Sequence, residues 1–178
     1  MKHAGTGLMV AGALLVLYYP STWVYGKVSQ AYLHQQWHSA GTATDQAAAE
    51  LFGRLVIPKI LVDQIVLDGV EESQLARGPG HYKTSAMPGD GNCVIIGHLN
   101  TNGSPFRDLD RLAPGDMVLV RADASSSLVT YRVTGSRIVP PTDMALVKPE
   151  GKSRLTLITC MPGAKMRFAV FCKQETVQ

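Results

Sequence analysis

The sequence predicts a mostly β fold, a single barrel or sandwich of short strands behind an apolar N-terminal helix, and three observations carry that prediction. From Arg54 onward the chain breaks into short β-branched runs bounded by Gly, Pro, Asp and Asn, the texture of strands joined by turns. Between Lys2 and Lys27 there is no Asp, Glu, Lys or Arg. The 178 residues suffice for one domain with a proper core, and not for two once the N-terminal part is set aside.

Residues 1–27 read as a membrane anchor. Leu8 to Tyr19 is almost entirely apolar, and from Ala4 to Tyr25 the stretch reaches the ~20 residues of a spanning helix. Tyr18, Tyr19, Trp23 and Tyr25 suit an interfacial aromatic belt, while Pro20 is where such a helix would kink or end. No A-x-A-like site directly follows Tyr19, which favours an uncleaved anchor over a signal peptide. Lys2 biases the N-terminus to the inside and so puts the later residues outside the cytoplasm.

Residues 28–52 read as a juxtamembrane spacer with little that would build a core, and Ser39 to Ala43, with Gly41, would break any helix there. Residues 53–178 form the domain. Its expected strands are Leu55 to Ile60, Gln64 to Leu67, Cys93 to His98, Met117 to Arg121, Leu128 to Val139, Leu155 to Cys160 and Met166 to Phe171. Short helical turns are expected at Ser73 to Arg77 and within Phe106 to Leu112, where Pro105 and Asp108 favour initiation.

A net charge of +3, without a basic run interleaved with aromatics, excludes nucleic acid as a partner. The chemistry gathers instead at Cys160, which closes the run Leu155 to Cys160, with Arg167 seven residues on and His98 at the end of Val94 to His98. Acyl transfer by a cysteine needs a thiolate, a proton carrier and a stabiliser for the oxyanion. An imidazole titrates near neutrality and can carry the proton, and a guanidinium is a fixed, always-charged fork for the oxygen. Taken singly, Cys160 is equally an ordinary buried thiol at a strand end, and His98 a hydrogen-bonded structural residue. Strand parity puts His98 with Ile96 and Val94, and Arg167 with Ala169 and Phe171. Cys93 and Cys172 fall on the opposite faces, as buried structural thiols. His81 is a weaker candidate base within a Gly-Pro-Gly turn, and His34 with His38 has metal-pair spacing but no third ligand nearby. Gly89 to Asn92 reads as a turn rather than a calcium loop. No cofactor and no metal are expected.

These residues resemble a known family. Thr156, Leu157, Thr159, Cys160 and Arg167 match the sortase pattern T-L-x-T-C followed by arginine on the next strand. Leu55 to Ile60 is similar to the first-strand L-x-I-P-K-I, and Pro88-Gly89, Gly91-Asn92 and Gly97-His98 to the lead-in P-G-x-x-G-N and its histidine. Phe106, Leu109, Leu112, Gly115-Asp116 and Tyr131-Arg132-Val133 fit further elements, so the match spans about residues 54 to 172. Val62 to Leu67 and Gly78 to His81 are most like the class GN, or Gram-negative, branch. Met161 to Met166 is shorter than in many relatives, and Leu99 stands where many have arginine.

The resemblance implies a closed β-barrel of about eight strands and cleavage of the C-terminal sorting signal of a dedicated target protein. It implies a thioacyl intermediate on Cys160 resolved by an amine acceptor, with His98 and Arg167 in the roles above and Thr159 beside the oxyanion site. The implied place is the inner membrane, single-pass, with the barrel on the periplasmic side. Water as acceptor would make the protein a processing protease. A binding barrel without catalysis is the reading from another class, and it predicts that Cys160, His98 and Arg167 do not share a face. A cysteine L,D-transpeptidase fits less well, because its arginine two residues after the cysteine is missing.

Overall fold

The computed structural model describes residues 2–39, 50–122, 126–149, 151–161, 163 and 165–175, without the side chains of residues 2–8, 10, 11, 14, 15, 17 and 19. A helix, α1 (Lys2–Ser39), precedes eight strands: β1 (Leu51–Ile57), β2 (Val62–Asp68), β3 (Gly80–His81), β4 (Asn92–Gly97), β5 (Met117–Arg121), β6 (Val129–Val139), β7 (Arg154–Cys160) and β8 (Arg167–Gln174). A one-turn helix, α2 (Glu72–Leu75), lies between β2 and β3, and 3-10 turns occupy Pro58–Ile60, Leu109–Arg111 and Met144–Val147.

The strands close into a barrel in the order β1-β2-β3-β4-β7-β8-β6-β5, with β5 pairing back onto β1. Closure removes every sheet edge, which settles barrel against sandwich. Most pairs are antiparallel, but β4 runs parallel to β7 and β2 to β3. The two-residue β3 is absent from the expected strands, because Gly80-His81 carries no alternation to read. The expected first strand is shifted toward the N-terminus: it starts at Leu51 and stops at Ile57, since Pro58 opens a 3-10 turn that ends at Leu61 in the left-handed conformation.

Alternation along each strand splits the apolar residues in two. The barrel interior holds Leu55, Ile57, Val66, Cys93, Ile95, Val118, Val120, Tyr131, Leu155, Leu157, Val170 and Cys172, with Phe106 and Leu109 plugging it from the loop after β4. Outside the barrel wall a smaller cluster joins Val94, Ile158, Ala169 and Val139 to Leu146 of the β6–β7 connection. Tyr82, Ile96, Val147 and Phe171 pack against it.

Helix α1 runs through Pro20 as far as Ser39. Among the described residues no helix is long and apolar enough to cross a membrane. Most of the apolar stretch on which the expected anchor rests lies outside the described side chains. Residues 28–39, expected to hold little that would build a core, are helical up to Ser39, and Leu33 and Trp37 are buried with Ile65 and Leu67 of β2. Leu33 and Trp37 are four apart, so one helical stripe buries both, while Gln35 between them is exposed and His34 lies beside Asp63 at the edge of the contact. That pattern is too short to stand out in a stretch rich in Gln and His. Residues 40–49 of the expected spacer lie outside the described residues.

Candidate active site

Three adjacent strands carry the candidate residues. The parallel ladder pairs Gly97 of β4 with Thr159 of β7, so the residues that follow, His98 and Cys160, stand side by side at the same ends of their strands. The antiparallel ladder pairs Cys160 with Arg167 at the mouth of the β7–β8 turn. Register partners present their side chains to the same face of a sheet. Cys160, His98 and Arg167 therefore share one face. It is the outer face, the one that also carries Val94, Ile96, Ile158 and Ala169. Arg167 thus avoids burial among the apolar interior side chains, which would be costly for a guanidinium.

Cys160, His98 and Arg167 are each half-buried. Met161 N–H donates to Met166 O at 2.9 Å, drawing the short β7–β8 connection closed, and Arg167 Nη1 donates to Met166 O at 3.3 Å. His98 Nε2 is enclosed and has no hydrogen-bond partner among the described residues. Its closest carboxylate is exposed Glu72 of α2, with Oε1 at 3.9 Å. Sequence reading passes over Glu72, because only the fold brings α2 back over the end of β4.

His98 is held by its backbone. Phe106 N–H donates to His98 O at 3.1 Å, and the Phe106 ring packs against Gly97, where a Cβ would meet it at 2.7 Å. Thr159 is buried, and its hydroxyl donates to Gly97 O at 2.8 Å. By parity it stands on the interior face, opposite Cys160. Its hydroxyl ties β7 to β4, and its place next to Cys160 in the chain keeps its backbone at the oxyanion side that the resemblance implies.

Asn92, at the start of β4, fixes the connection that overhangs the outer face. Its amide donates to Leu146 O at 2.7 Å and Lys148 O at 3.0 Å, while its Oδ1 accepts from the Thr156 hydroxyl at 2.7 Å. Asn92 N–H donates to Pro149 O at 3.1 Å, and Gly91 leaves no room for a Cβ beside that carbonyl. The Gly91-Asn92 signature thus clamps residues 146–149, which put Leu146 and Val147 on the outer cluster. On the other side of that cluster, Tyr82 lines a cleft of about 250 Å³ with Glu71, Gln74 and Lys83.

The remaining candidates separate. His81 is buried, stacks on Phe52 at 3.8 Å between ring centroids, and contacts Ser85 Oγ at 3.0 Å. Burial holds its imidazole below the ordinary histidine range against the opposing pull of Ala86 O and Asp68. Cys93 and Cys172 are free thiols in the barrel interior, both pushed up to about 12 by burial. They flank Leu155 in the ladder and are inert there, as read from strand parity. His34 lies beside β2, with Nε2 at 3.3 Å from Asp63 O. Gly89 takes a positive φ of 99° in a turn closed by Asp90 N–H donating to Met87 O.

The sortase domain family matches residues 55–175, from within β1 to just past the end of β8. The chain belongs to the sortase family. Sortase D of Bacillus subtilis (strain 168) is 32% identical to it over 131 residues, covering 70% of this chain and 64% of that protein. Sortase A of Bacillus anthracis is 31% identical over 113 residues, covering 63% of this chain and 53% of that protein. The chain spans only 53% and 64% of these two sortases. Among solved structures, sortase E1 from Streptomyces coelicolor with a tripeptide in the active site aligns with a TM-score of 0.66 at 30% identity, over 74% of this chain and 92% of that one. Sortase A from Corynebacterium diphtheriae aligns with a TM-score of 0.66 at 27% identity, over 72% and 62% of the two chains.

Proposed function

We propose that this sortase is a cysteine transpeptidase that cleaves a C-terminal sorting signal and passes the acyl group to an amine. The observation that carries the reading is the ladder that ends Cys160, His98 and Arg167 together on one half-buried outer face. A binding barrel has no need of that convergence.

In the proposed cycle the Cys160 thiolate attacks the scissile carbonyl of the signal, and Arg167 donates hydrogen bonds to the oxygen that becomes negative. Collapse expels the amine of the departing segment, which takes a proton from His98, and leaves a thioacyl-enzyme. An incoming amine then gives its proton to His98 as it attacks the thioester, and Cys160 departs as thiolate. The outer cluster beside Cys160, walled by the clamped residues 146–149, supplies an apolar bed for an extended peptide, so we assign signal selection to the connection from Pro140 to Ser153.

The N-terminal stretch without acidic or basic residues between Lys2 and Lys27 supports membrane attachment, with the barrel on the extracytoplasmic side of the inner membrane. The segments Val62 to Leu67 and Gly78 to His81 support a class GN enzyme serving one dedicated target.

The test is mass spectrometry of the protein incubated with C-terminal peptides of candidate targets, with and without an added amine, beside Cys160→Ala. The expected result is a Cys160-dependent acyl adduct that passes to the amine. An adduct that only hydrolyses replaces this reading with a processing protease, and a thiol that neither acylates nor alkylates replaces it with a binding barrel.

A further inference from the structure

Three consecutive residues in the loop after His98 take left-handed backbone conformations: Asn102 at φ 52°, Gly103 at φ 79° and Ser104 at φ 51°. Two of them carry a Cβ, and such a run persists only where the surroundings impose it. Within the loop, Ser104 N–H donates to Thr101 O at 2.8 Å and Phe106 N–H returns to His98 O at 3.1 Å. Against its far side lies the backbone of α1 at Gly26. A Cβ on Gly26 would strike the Asn102 carbonyl and come within 2.6 Å of Gly103 N, so helix and loop meet backbone to backbone.

One turn further along α1, Gln30 is buried and does the work of a neighbouring strand. Its amide donates to Ile65 O and to Arg77 O, each at 3.0 Å, and its Oε1 accepts from Ile65 N–H at 2.8 Å. Arg77 closes the turn after α2, the element whose Glu72 faces His98. Gly78 leaves the space that the Gln30 amide fills. Gly26, Gln30, Leu33 and Trp37 follow one another at helical spacing, so a single stripe of α1 grips β2, the α2 turn and the loop that leaves His98.

We propose that α1 is part of the active-site scaffold, with Gly26 and Gln30 as positioning residues that hold the two segments flanking His98. This rests on the reading of His98 as the proton carrier, and goes beyond it by making the N-terminal helix necessary for full activity. A cleft of about 210 Å³ beside this contact, lined by Trp23, Lys27, Gly103, Ser104 and Arg107 among others, leaves the loop room to relax if the helix contact is lost.

The test uses the full chain in detergent and compares Gly26→Leu and Gln30→Ala with the unaltered protein. The first readout needs no substrate: the rate of iodoacetamide labelling as a function of pH. Cys93 and Cys172 are buried, so labelling reports Cys160, with Cys160→Ala as background. The second is kcat and KM for peptide transfer. The expected result for Gly26→Leu is a displaced labelling profile and a fall in kcat on the order of 10²-fold with KM retained, the consequence of a misplaced catalytic group. Gln30→Ala should move both in the same direction by less, and it decides the matter if Gly26→Leu fails to fold. Folded variants with the unaltered profile and kcat would overturn the proposal. Failure of the underlying reading has a separate signature, namely a His98→Ala protein whose labelling profile matches the unaltered one.

Discussion

A thiol, an imidazole and a guanidinium can share one acyl-transfer step only if they stand together, and here two ladders of opposite sense bring the three side chains to one face. Parallel pairing sets His98 beside Cys160, and antiparallel pairing sets Arg167 on its other side. Arg167→Lys keeps a charge but loses the planar fork, so transfer should fall by about 10²–10³-fold in kcat, close to the loss in Arg167→Ala. A lysine variant with near-unaltered kcat in the peptide assay would show that charge alone suffices. His81 gives the opposite kind of prediction. Burial lowers its folded-state pKa, so the unfolded chain binds the extra proton more readily. Its contribution to stability is full above the unfolded value of about 6.5 and declines as pH falls through it toward the lowered folded value. The urea midpoint should therefore drop more between pH 7.5 and 5 for the unaltered protein than for His81→Gln. Equal drops would mean that His81 is not what titrates.

The elements matter through what they clamp. Asn92 satisfies the carbonyls of Leu146 and Lys148 and the hydroxyl of Thr156, all from one buried side chain. Thr156→Val leaves the buried Asn92 Oδ1 without its donor and should cost about 1–3 kcal/mol in urea unfolding. Asn92→Ala, which frees residues 146–149 as well, should alter the ranking of signal peptides in the transfer assay. An unchanged ranking would remove that connection from the recognition wall. Gly97 works by absence: its bare Cα lets the Phe106 ring lie on the strand and lets Phe106 hold the His98 carbonyl. Gly97→Ala overpacks that contact and should destabilise the barrel by about 1–3 kcal/mol, with a further loss of activity from a displaced His98.

At the scale of the molecule, the barrel and α1 form one packed unit along β2. Arg54 grips Asp63 with two bonds of 2.7 and 2.6 Å, and that hydrogen bonding holds the Asp63 carboxyl below the usual range. The pair is exposed enough that its removal should cost little. The apolar contact is the strong one. Leu33 is fully buried against Ile65 and Leu67, and Leu33→Ala should lower stability by about 2–5 kcal/mol in urea unfolding of the full chain. A loss below about 0.5 kcal/mol, the range of surface substitutions, would mean that the helix does not dock in solution.

Much of this was legible in one dimension. β-branched runs separated by turn residues announce a β domain, and period-two parity already places His98 and Arg167 apart from Cys93 and Cys172. Local steric and hydrophobic preferences act between residues close in the chain, so they leave a mark in composition and spacing. The strand Gly80-His81, the turn of Thr159 toward Gly97, the approach of Glu72 to His98 and the docking of α1 left no such mark. Each depends on which strands become neighbours when the barrel closes, and closure is a cooperative choice among long-range pairings that no single segment encodes. The sequence by itself determined most of the strands and the candidate residues for the chemistry. Only the tertiary structure decided that those residues meet, and that the N-terminal helix stands behind them.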